Sequence, residues 1–129
     1  MAKKILIVDD ETMVVKMLES RLKSQGFDIA TAFCAGEGIE KAQSEQPDLI
    51  ILDVLMPGQF GNEAAQQLKE DSRTAHIPII FLSNVPTEFL SGEEKFAGES
   101  LQVVNDNVYL SKLCSPEELL EAINRALAK

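Results

Sequence analysis

The sequence predicts an α/β protein in which helices cover both faces of one parallel sheet. Short apolar runs alternate with segments of helical period along the 129-residue chain. Three of the runs are almost continuously apolar, as strands buried on both faces should be. The predicted strands are 5–8, 27–32, 49–52, 77–82 and 108–110. Right-handed crossovers would bring the C-terminal ends of these strands to the same edge of the sheet.

The first two helices are predicted from the spacing of their apolar residues. Apolar positions recur every three or four residues in the first, and Gly26 supplies its stop signal. The apolar positions are Val14, Met17, Leu18 and Leu22. The second helix covers about 35–45, with Ile39 and Ala42 on one side, and ends before Pro47. Both segments are therefore expected to be amphipathic helices.

Two later segments also carry helix signals. The third helix runs from about 62 to 72 with Ala65 and Leu68 facing inward. The last begins at Ser115, with Pro116 in the first helical position and Glu118 in the third, a capping box. Its apolar stripe is formed by Leu119, Leu120, Ile123 and Leu127.

Residues 84–107 are expected to contain a further helix, because the alternation requires one between the last two strands. Gly92 and Gly98 interrupt this segment, and its apolar residues are scattered. There is no internal repeat and no interdomain linker in the sequence. Residues 1–129 are therefore expected to form a single domain with no attached output domain.

Composition excludes several functions. A net charge of −9 without clustered Lys and Arg argues against direct nucleic-acid binding. The apolar runs are too short to insert into a membrane, and no signal sequence precedes the first strand, so the cytoplasm is the expected location. Cys34 and Cys114 form no CxxC motif and are expected to be reduced thiols, buried or half-buried. His76 is the single histidine, which argues against a histidine metal site.

Chemically reactive side chains collect at the ends of the predicted strands. They are Asp9 and Asp10 after the first strand, Asp53 after the third, Ser83 after the fourth and Lys112 after the fifth. Ligands of open parallel sheets bind at this edge. Crowded carboxylates repel one another, and a hard cation would relieve the repulsion. Because Mg²⁺ prefers oxygen ligands and shares its shell with phosphate oxygens, we expect a magnesium site formed by these acids.

The chemistry of these residues suggests a role for each. Asp53 is the candidate nucleophile, since a carboxylate can attack phosphorus to form an acyl phosphate. Lys112 would offset negative charge on the transferred group, and Ser83 would donate a hydrogen bond to one of its oxygens. Any one acid after a strand is common in loops and helix caps, so the prediction depends on their combination.

At this point the sequence resembles the response regulator receiver domain, the phosphoacceptor module of two-component signalling. The resemblance covers essentially the whole chain. It is carried by LIVDDE near the N-terminus, LIILDVLMPGQFG around Asp53, FLSN with Ser83, and YLSK with Lys112. It implies a doubly wound, flavodoxin-like sheet of five parallel strands in the order 2-1-3-4-5.

The resemblance also implies functions for individual residues. Asp9 and Asp10, together with Asp53, match the acids that hold Mg²⁺, and Asp53 matches the aspartate that accepts a phosphoryl group from a sensor histidine kinase or phosphotransfer protein. Ser83 and Lys112 match the hydroxyl and lysine that contact the phosphoryl group. Tyr109 matches an aromatic that turns inward when Ser83 moves, although a half-buried tyrosine on a strand is an alternative. An unidentified downstream protein would read this switch.

Three features depart from the family pattern. Leu113 replaces a common proline after Lys112, so a cis peptide there is not expected. The segment 84–107 is longer than expected, which leaves the choice of partner open. Leu55 and Val85, two residues after Asp53 and Ser83, are apolar where a polar side chain can help to place an attacking water. We therefore hypothesise slow loss of the phosphoryl group.

Three other functions share parts of this pattern. A haloacid dehalogenase-type phosphatase needs a second aspartate where this chain has Leu55. A flavin binder needs phosphate-binding donors after the first strand, where Asp9, Asp10 and Glu11 would repel the anion. A pseudo-receiver that only binds partners, independently of phosphorylation, remains the alternative function.

Overall fold

The computed structural model describes residues 2–53, 55–56, 59–83, 94–95, 101–104, 107–111 and 115–128. The strands are β1 (Lys4–Val8), β2 (Asp28–Ala32), β3 (Leu49–Asp53), β4 (Leu55–Met56), β5 (Gln59–Phe60), β6 (Ile79–Ser83), β7 (Glu94–Lys95), β8 (Leu101–Val104) and β9 (Asn107–Ser111). The helices are α1 (Thr12–Ser24), α2 (Ala35–Glu45), α3 (Gly61–Glu70) and α4 (Pro116–Leu127).

Five strands form a parallel sheet in the order β2-β1-β3-β6-β9. These strands correspond to the five predicted apolar runs, and the predicted order 2-1-3-4-5 is confirmed. The parallel register brings the strand ends level: Val8 pairs with Leu52, and Asp53 pairs with Leu82. The last residues of β1, β3 and β6 therefore lie at one edge of the sheet, as the crossover rule requires.

The helix predicted within 84–107 is wrong for the part that the structure describes. Residues 94–95 and 101–104 are strands β7 and β8, which continue the sheet beyond β9 in antiparallel orientation. Val103 and Val104 are β-branched and favour a strand. Only two residues separate β8 from β9, a length typical of hairpins. The rest of the segment, with Gly92 and Gly98, lies outside the described residues.

Two apolar clusters lie on opposite faces of the sheet. The first, here called the α1/α4 core, joins strand residues to large side chains of two helices. Its helix residues are Val15, Leu18, Leu22, Leu119, Ala122 and Ile123. The second, the α2/α3 core, uses alternate residues of the same strands. Its helix residues are Ala35, Ala42, Ala64, Ala65 and Leu68. Helices on both faces confirm the predicted doubly wound architecture.

Most helix boundaries agree with the sequence signals. At the start of α4 the Glu118 amide donates to Ser115 Oγ at 3.1 Å, and the Ser115 amide donates to Glu118 Oε1 at 3.0 Å. This is the predicted capping box. Gly26, just beyond α1, has a φ of +93°, a backbone conformation that favours glycine. The start of α4 and the end of α1 are therefore determined by local interactions and by local backbone conformation.

Two expectations about burial are wrong. Met17 was placed in the apolar stripe of α1, but it is 37% exposed, because the face turned to the sheet is that of Val15, Leu18 and Leu22. Cys34 is a free cysteine as expected but is exposed, because it stands at the surface position that begins α2. Cys114 lies outside the described residues.

Within the described ranges, no helix combines the length and the apolar character that crossing a membrane requires.

Candidate functional site

The candidate site is built at the ends of β1 and β3, which are neighbours at the centre of the sheet. Asp53 is the last residue of β3, and Asp9 follows the last residue of β1 directly. The Asp9 amide donates to the Ala32 carbonyl oxygen at 3.1 Å, which extends the pairing of β1 with β2 by one residue. Because the strands are buried and rigid, the positions of both aspartates are set by the sheet rather than by a loop.

The structure brings three of the predicted site residues together. Asp9, Asp10 and Asp53 each offer a carboxylate oxygen, and these oxygens all lie within 4.8 Å of one another. Asp9 is 0% exposed and Asp53 is 2% exposed, whereas Asp10 is exposed to solvent. The acidic cluster, as we call these three residues, is therefore closed on the protein side and open at the sheet edge.

Backbone contacts orient the innermost acid. The Glu11 amide donates to Asp9 Oδ1 at 2.9 Å, so one carboxylate oxygen of Asp9 is held by the turn that leads into α1. Such a bond is stronger than one between neutral groups because its acceptor is charged. It leaves the carboxyl group little freedom to rotate away from Asp10 and Asp53.

The composition of the acidic cluster fits a hard divalent cation. Carboxylate oxygens are the ligands that Mg²⁺ prefers in proteins, and an open side allows the ion to keep several waters. Three carboxylates this close repel one another when all are ionised. A bound Mg²⁺ would offset this repulsion, so the residues present suit the predicted ion.

The other predicted site residues are placed by their backbone or lie outside the described residues. Ser83 is the last residue of β6 and follows Leu82, the partner of Asp53 across the strand pair. Ser83 pairs with Ser111 at the end of β9, one residue before Lys112. Lys112 itself, and with it Leu113 and Val85, lies outside the described residues. Ser83 and the end of β9 thus share the edge that carries the acidic cluster.

For Tyr109, the predicted switch residue, the structure describes only the backbone position. It lies in β9, opposite Phe81 of β6 on one side and Gln102 of β8 on the other. Tyr109 is therefore flanked by strands on both sides, which a simple five-stranded sheet would not provide. Its side chain lies outside the described part of the structure.

Two exposed apolar residues that the sequence analysis missed flank the acidic cluster. Met13, in the first turn of α1, is 83% exposed and follows Asp10 by three residues. Phe33 is 42% exposed and follows Ala32, the residue hydrogen-bonded to Asp9. The available sequence signals were an apolar residue three positions after the acidic pair and another directly after an edge strand. We call these two residues the apolar rim.

Helix α2 packs directly against the strand residue that precedes the cluster. A Cβ added to Gly38 would lie 2.8 Å from both γ-carbons of Val8. Contacts this short do not occur between real side chains, so the glycine is what allows the helix to approach. The position of Asp9 is thereby coupled to the packing of α2.

The described groups whose pKa values are shifted lie outside the acidic cluster. Lys4 and Glu45 form an ion pair of 2.9 Å between the start of β1 and the end of α2. The hydrogen bond with Glu45 raises the pKa of Lys4, and the same bond lowers the pKa of Glu45. Both side chains are substantially exposed, so the pair adds little stability. It ties the helix to the sheet at the edge opposite the acids.

Comparisons with known proteins agree with this geometry. A family model described as "Response regulator receiver domain" matches residues 5–124. The alkaline phosphatase synthesis transcriptional regulatory protein PhoP of Bacillus subtilis is 36% identical over 129 residues, which are 100% of this chain and 50% of that protein. Protein PilH of Pseudomonas aeruginosa is 35% identical over 125 residues, covering 97% of this chain and 98% of PilH.

A solved structure is similar throughout. It is the response regulator protein TrrA of Thermotoga maritima in complex with Mg(2+)-BeF, with a TM-score of 0.77, 31% identity, and coverage of 96% of this chain and 98% of that one. The chain thus spans half the length of PhoP but nearly the whole length of PilH and TrrA.

Proposed function

This chain belongs to the response regulator receiver domain family, and from that premise we propose that it accepts a phosphoryl group on Asp53 from a histidine kinase or phosphotransfer protein. Residues 1–129 would act as one receiver domain, and a downstream protein would bind the surface that phosphorylation alters. The observation that carries the proposal is the acidic cluster. It places two further carboxylates beside a nearly buried aspartate at the ligand-binding edge of a parallel sheet.

In the proposed reaction a carboxylate oxygen of Asp53 attacks phosphorus of a phosphohistidine. The O–P bond forms, the P–N bond breaks, and the imidazole leaves with the electron pair, so Asp53 becomes an acyl phosphate. Because Asp53 is 2% exposed, the reacting group must enter at the open edge next to Asp10. Transfer of this kind depends mainly on positioning and on stabilisation of charge.

The remaining site residues would stabilise that charge. We assign Asp9, Asp10 and Asp53 as the residues that hold Mg²⁺, an ion that would neutralise oxygens of the phosphoryl group when bound. The T. maritima relative, described with Mg(2+)-BeF, supports this assignment. Lys112 would act as a point charge on the transferred group, and Ser83 would donate a hydrogen bond to it. When Ser83 moves toward the phosphoryl group, Tyr109 in the next strand would turn inward.

The surroundings of the cluster favour a protein as the natural donor. An anionic phosphoryl group is repelled by the three carboxylates, so electrostatic attraction alone does not bring it to Asp53. The apolar rim of Met13 and Phe33 offers contacts that do not depend on charge. A donor protein that covers the rim would gain binding energy from that burial, whereas a small donor would not.

Labelling with acetyl phosphate in the presence of Mg²⁺ tests the proposed function. The wild-type protein should gain one phosphoryl group, detected as an acid-stable, base-labile mass increment, and Asp53→Asn should gain none. The Asp10→Asn variant is the matched test of the metal, since Asp10 is exposed and its replacement should reduce labelling without unfolding the protein. A folded wild-type protein that takes up no label would instead favour the pseudo-receiver.

The downstream partner can be sought with the same variant. We propose that this partner is a separate protein, and the match of this chain to 98% of the length of PilH is compatible with that proposal. A partner that depends on phosphorylation should co-purify with the wild-type chain and be lost with Asp53→Asn. Equal recovery with both chains would contradict signalling through Asp53.

The lifetime of the phosphoryl group is a separate proposal. Leu55 is the second residue after Asp53 and Val85 the second after Ser83, and neither can orient a water molecule. Decay of labelled protein in Mg²⁺ should therefore be slow, and Leu55→Asn should accelerate it. A half-life of seconds for the wild-type protein would reject the proposal.

A further inference from the structure

Among the described lysines with side-chain contacts, Lys69 differs in that its contacts are to carbonyl oxygens and not to a carboxylate. It lies in the last turn of α3, and its Nζ donates to the Ile77 carbonyl oxygen at 2.8 Å and to the Ala75 carbonyl oxygen at 3.3 Å. Its side chain runs across the loop between α3 and β6, yet the residue remains exposed to solvent. The amine is therefore held in place by two neutral oxygens and is still accessible to a small reagent.

Each comparison lysine contacts a carboxylate, although Lys41 Nζ also donates to the Thr31 carbonyl oxygen. The pairs are Lys4 with Glu45 at 2.9 Å, Lys23 with Glu19 at 3.3 Å and Lys41 with Glu37 at 3.8 Å. The hydrogen bond with the Glu45 carboxylate raises the pKa of Lys4 and favours its charged ammonium form, which has no lone pair and does not react with electrophiles. For Lys69, partial burial lowers the pKa. A larger share of Lys69 is therefore neutral amine at a given pH.

The hydrogen bonds also orient the neutral amine. When Nζ has lost its third proton, the two remaining N–H groups can both stay bonded to the carbonyls of Ala75 and Ile77. The lone pair then points away from these oxygens. Such an amine is positioned for attack before the reagent arrives, which reduces the entropy cost of the reaction.

We propose that Lys69 is an acylation site, modified without a catalyst by acyl phosphates such as acetyl phosphate. Nζ attacks the carbonyl carbon, the new N–C bond forms, and the C–O bond to phosphate breaks. Phosphate leaves with the electron pair, and the proton lost from nitrogen passes to water or to phosphate. Lys69 thus attacks the carbonyl carbon of acetyl phosphate, whereas Asp53 attacks its phosphorus.

Acylation would change the loop that leads into β6. The amide nitrogen formed has one N–H, so it can keep only one of the two carbonyl partners, Ala75 or Ile77. The positive charge is also lost. Loosening of this loop would lower the stability of the folded protein, and β6 is the strand that ends at Ser83.

Peptide mass spectrometry after incubation with isotopically labelled acetyl phosphate tests the proposal. Lys69 should be acetylated faster than Lys23, which pairs with Glu19, by a factor of about three or more, and the two should react at similar rates in urea. Equal rates in the folded protein, or a preference for Lys69 that persists in urea, would overturn the proposal. The first would show that the carbonyl contacts do not activate the amine, and the second would assign the preference to local sequence.

Two variants separate this site from the phosphoacceptor. Asp53→Asn should retain Lys69 acetylation while losing phosphorylation, and Lys69→Arg should show the reverse. If Asp53→Asn also abolishes acetylation of Lys69, the direct reaction proposed here is wrong. Lys69→Gln, which resembles the acetylated residue, should lower Tm relative to Lys69→Arg, and an unchanged Tm would contradict the proposed effect on the loop.

Discussion

The two faces of the sheet are packed by side chains of different size, although the same strands supply both. On the face of α1 and α4 the buried helix residues are mainly Val, Leu and Ile, whereas those of α2 and α3 are four alanines and one leucine, with Ile39 partly buried against them. Large side chains fill the space between a helix and the sheet. Small ones let the helix backbone approach the strands, and Gly38 against Val8 is the extreme case.

This difference predicts opposite weaknesses. Removal of atoms should destabilise the α1/α4 core, because large side chains fill the space between its helices and the sheet. Addition of atoms should destabilise the α2/α3 core, because its helix backbones lie close to the strands and leave little free space. The acidic cluster depends on both. Val8, which belongs to the α2/α3 core, precedes Asp9, and Ile51, which belongs to the α1/α4 core, lies two residues before Asp53.

The largest expected effect is truncation in the α1/α4 core. Leu18 is 4% exposed, and Leu18→Ala should lower the free energy of unfolding by about 2–5 kcal/mol through lost burial and a residual cavity. Met17→Ala is the matched control, one residue away on the same helix but 37% exposed, and should cost within about 0.5 kcal/mol. Urea unfolding measures both, and equal losses would show that α1 packs through a different face.

Addition of one carbon to the α2/α3 core is expected to come second. Gly38→Ala should destabilise by about 1–3 kcal/mol, because the new Cβ overlaps Val8. Gly36→Ala meets nothing within 4 Å and should instead stabilise α2 by about 0.5–1 kcal/mol. Displacement of Val8 should also weaken Mg²⁺ binding in Gly38→Ala alone. If both variants bind the ion and unfold alike, α2 does not constrain the site.

The third effect concerns how α4 is held against its face. Ser115→Ala removes the side-chain acceptor for the Glu118 amide and should cost about 0.5–2 kcal/mol, typically about 1. Ser115→Asp retains an acceptor and should keep most of the stability. Thermal unfolding of the two variants compares them directly. An unaffected alanine variant would mean that packing of Leu119 and Ile123 determines where the helix starts.

The smallest effect lies in the loop after α3, on the face with the small residues. The hydrogen bond from Arg73 lowers the pKa of Asp71 from 3.8 to about 2. Because the folded-state pKa is the lower one, this pair contributes stability above pH 3.8 and loses it as the pH falls through about 2. The side chains are 61% and 23% exposed for Arg73 and Asp71, so the effect should be small.

Arg73→Gln measures that contribution. The difference in unfolding free energy between wild type and variant should be constant near neutral pH and shrink between pH 3.8 and about 2, as Asp71 takes up its proton. Because the other carboxylates titrate in both proteins, most of their contribution to the pH dependence cancels in this difference. A difference independent of pH would show that Arg73 acts by packing alone.

Much of the candidate site was predictable because each of its residues follows a strand that the sequence marks clearly. Asp9 and Asp53 stand after runs that are buried on both faces, and such runs are read directly from composition. The apolar rim was missed because an apolar residue at the start of a helix, such as Met13, or directly after a strand, such as Phe33, looks like a core residue. Whether an apolar residue is covered depends on neighbours that are distant in the chain.

The sequence by itself determined the alternation of strands and helices that makes a parallel sheet, the start of α4, and the edge at which the acids collect. These follow from periodicities and caps that act over a few residues. The tertiary structure alone decided that three carboxylates come within 4.8 Å, that Gly38 touches Val8, and that β7 and β8 extend the sheet. It also decided that Lys69 meets two carbonyls rather than a carboxylate. These features depend on contacts between separate elements, whose distances no local pattern encodes.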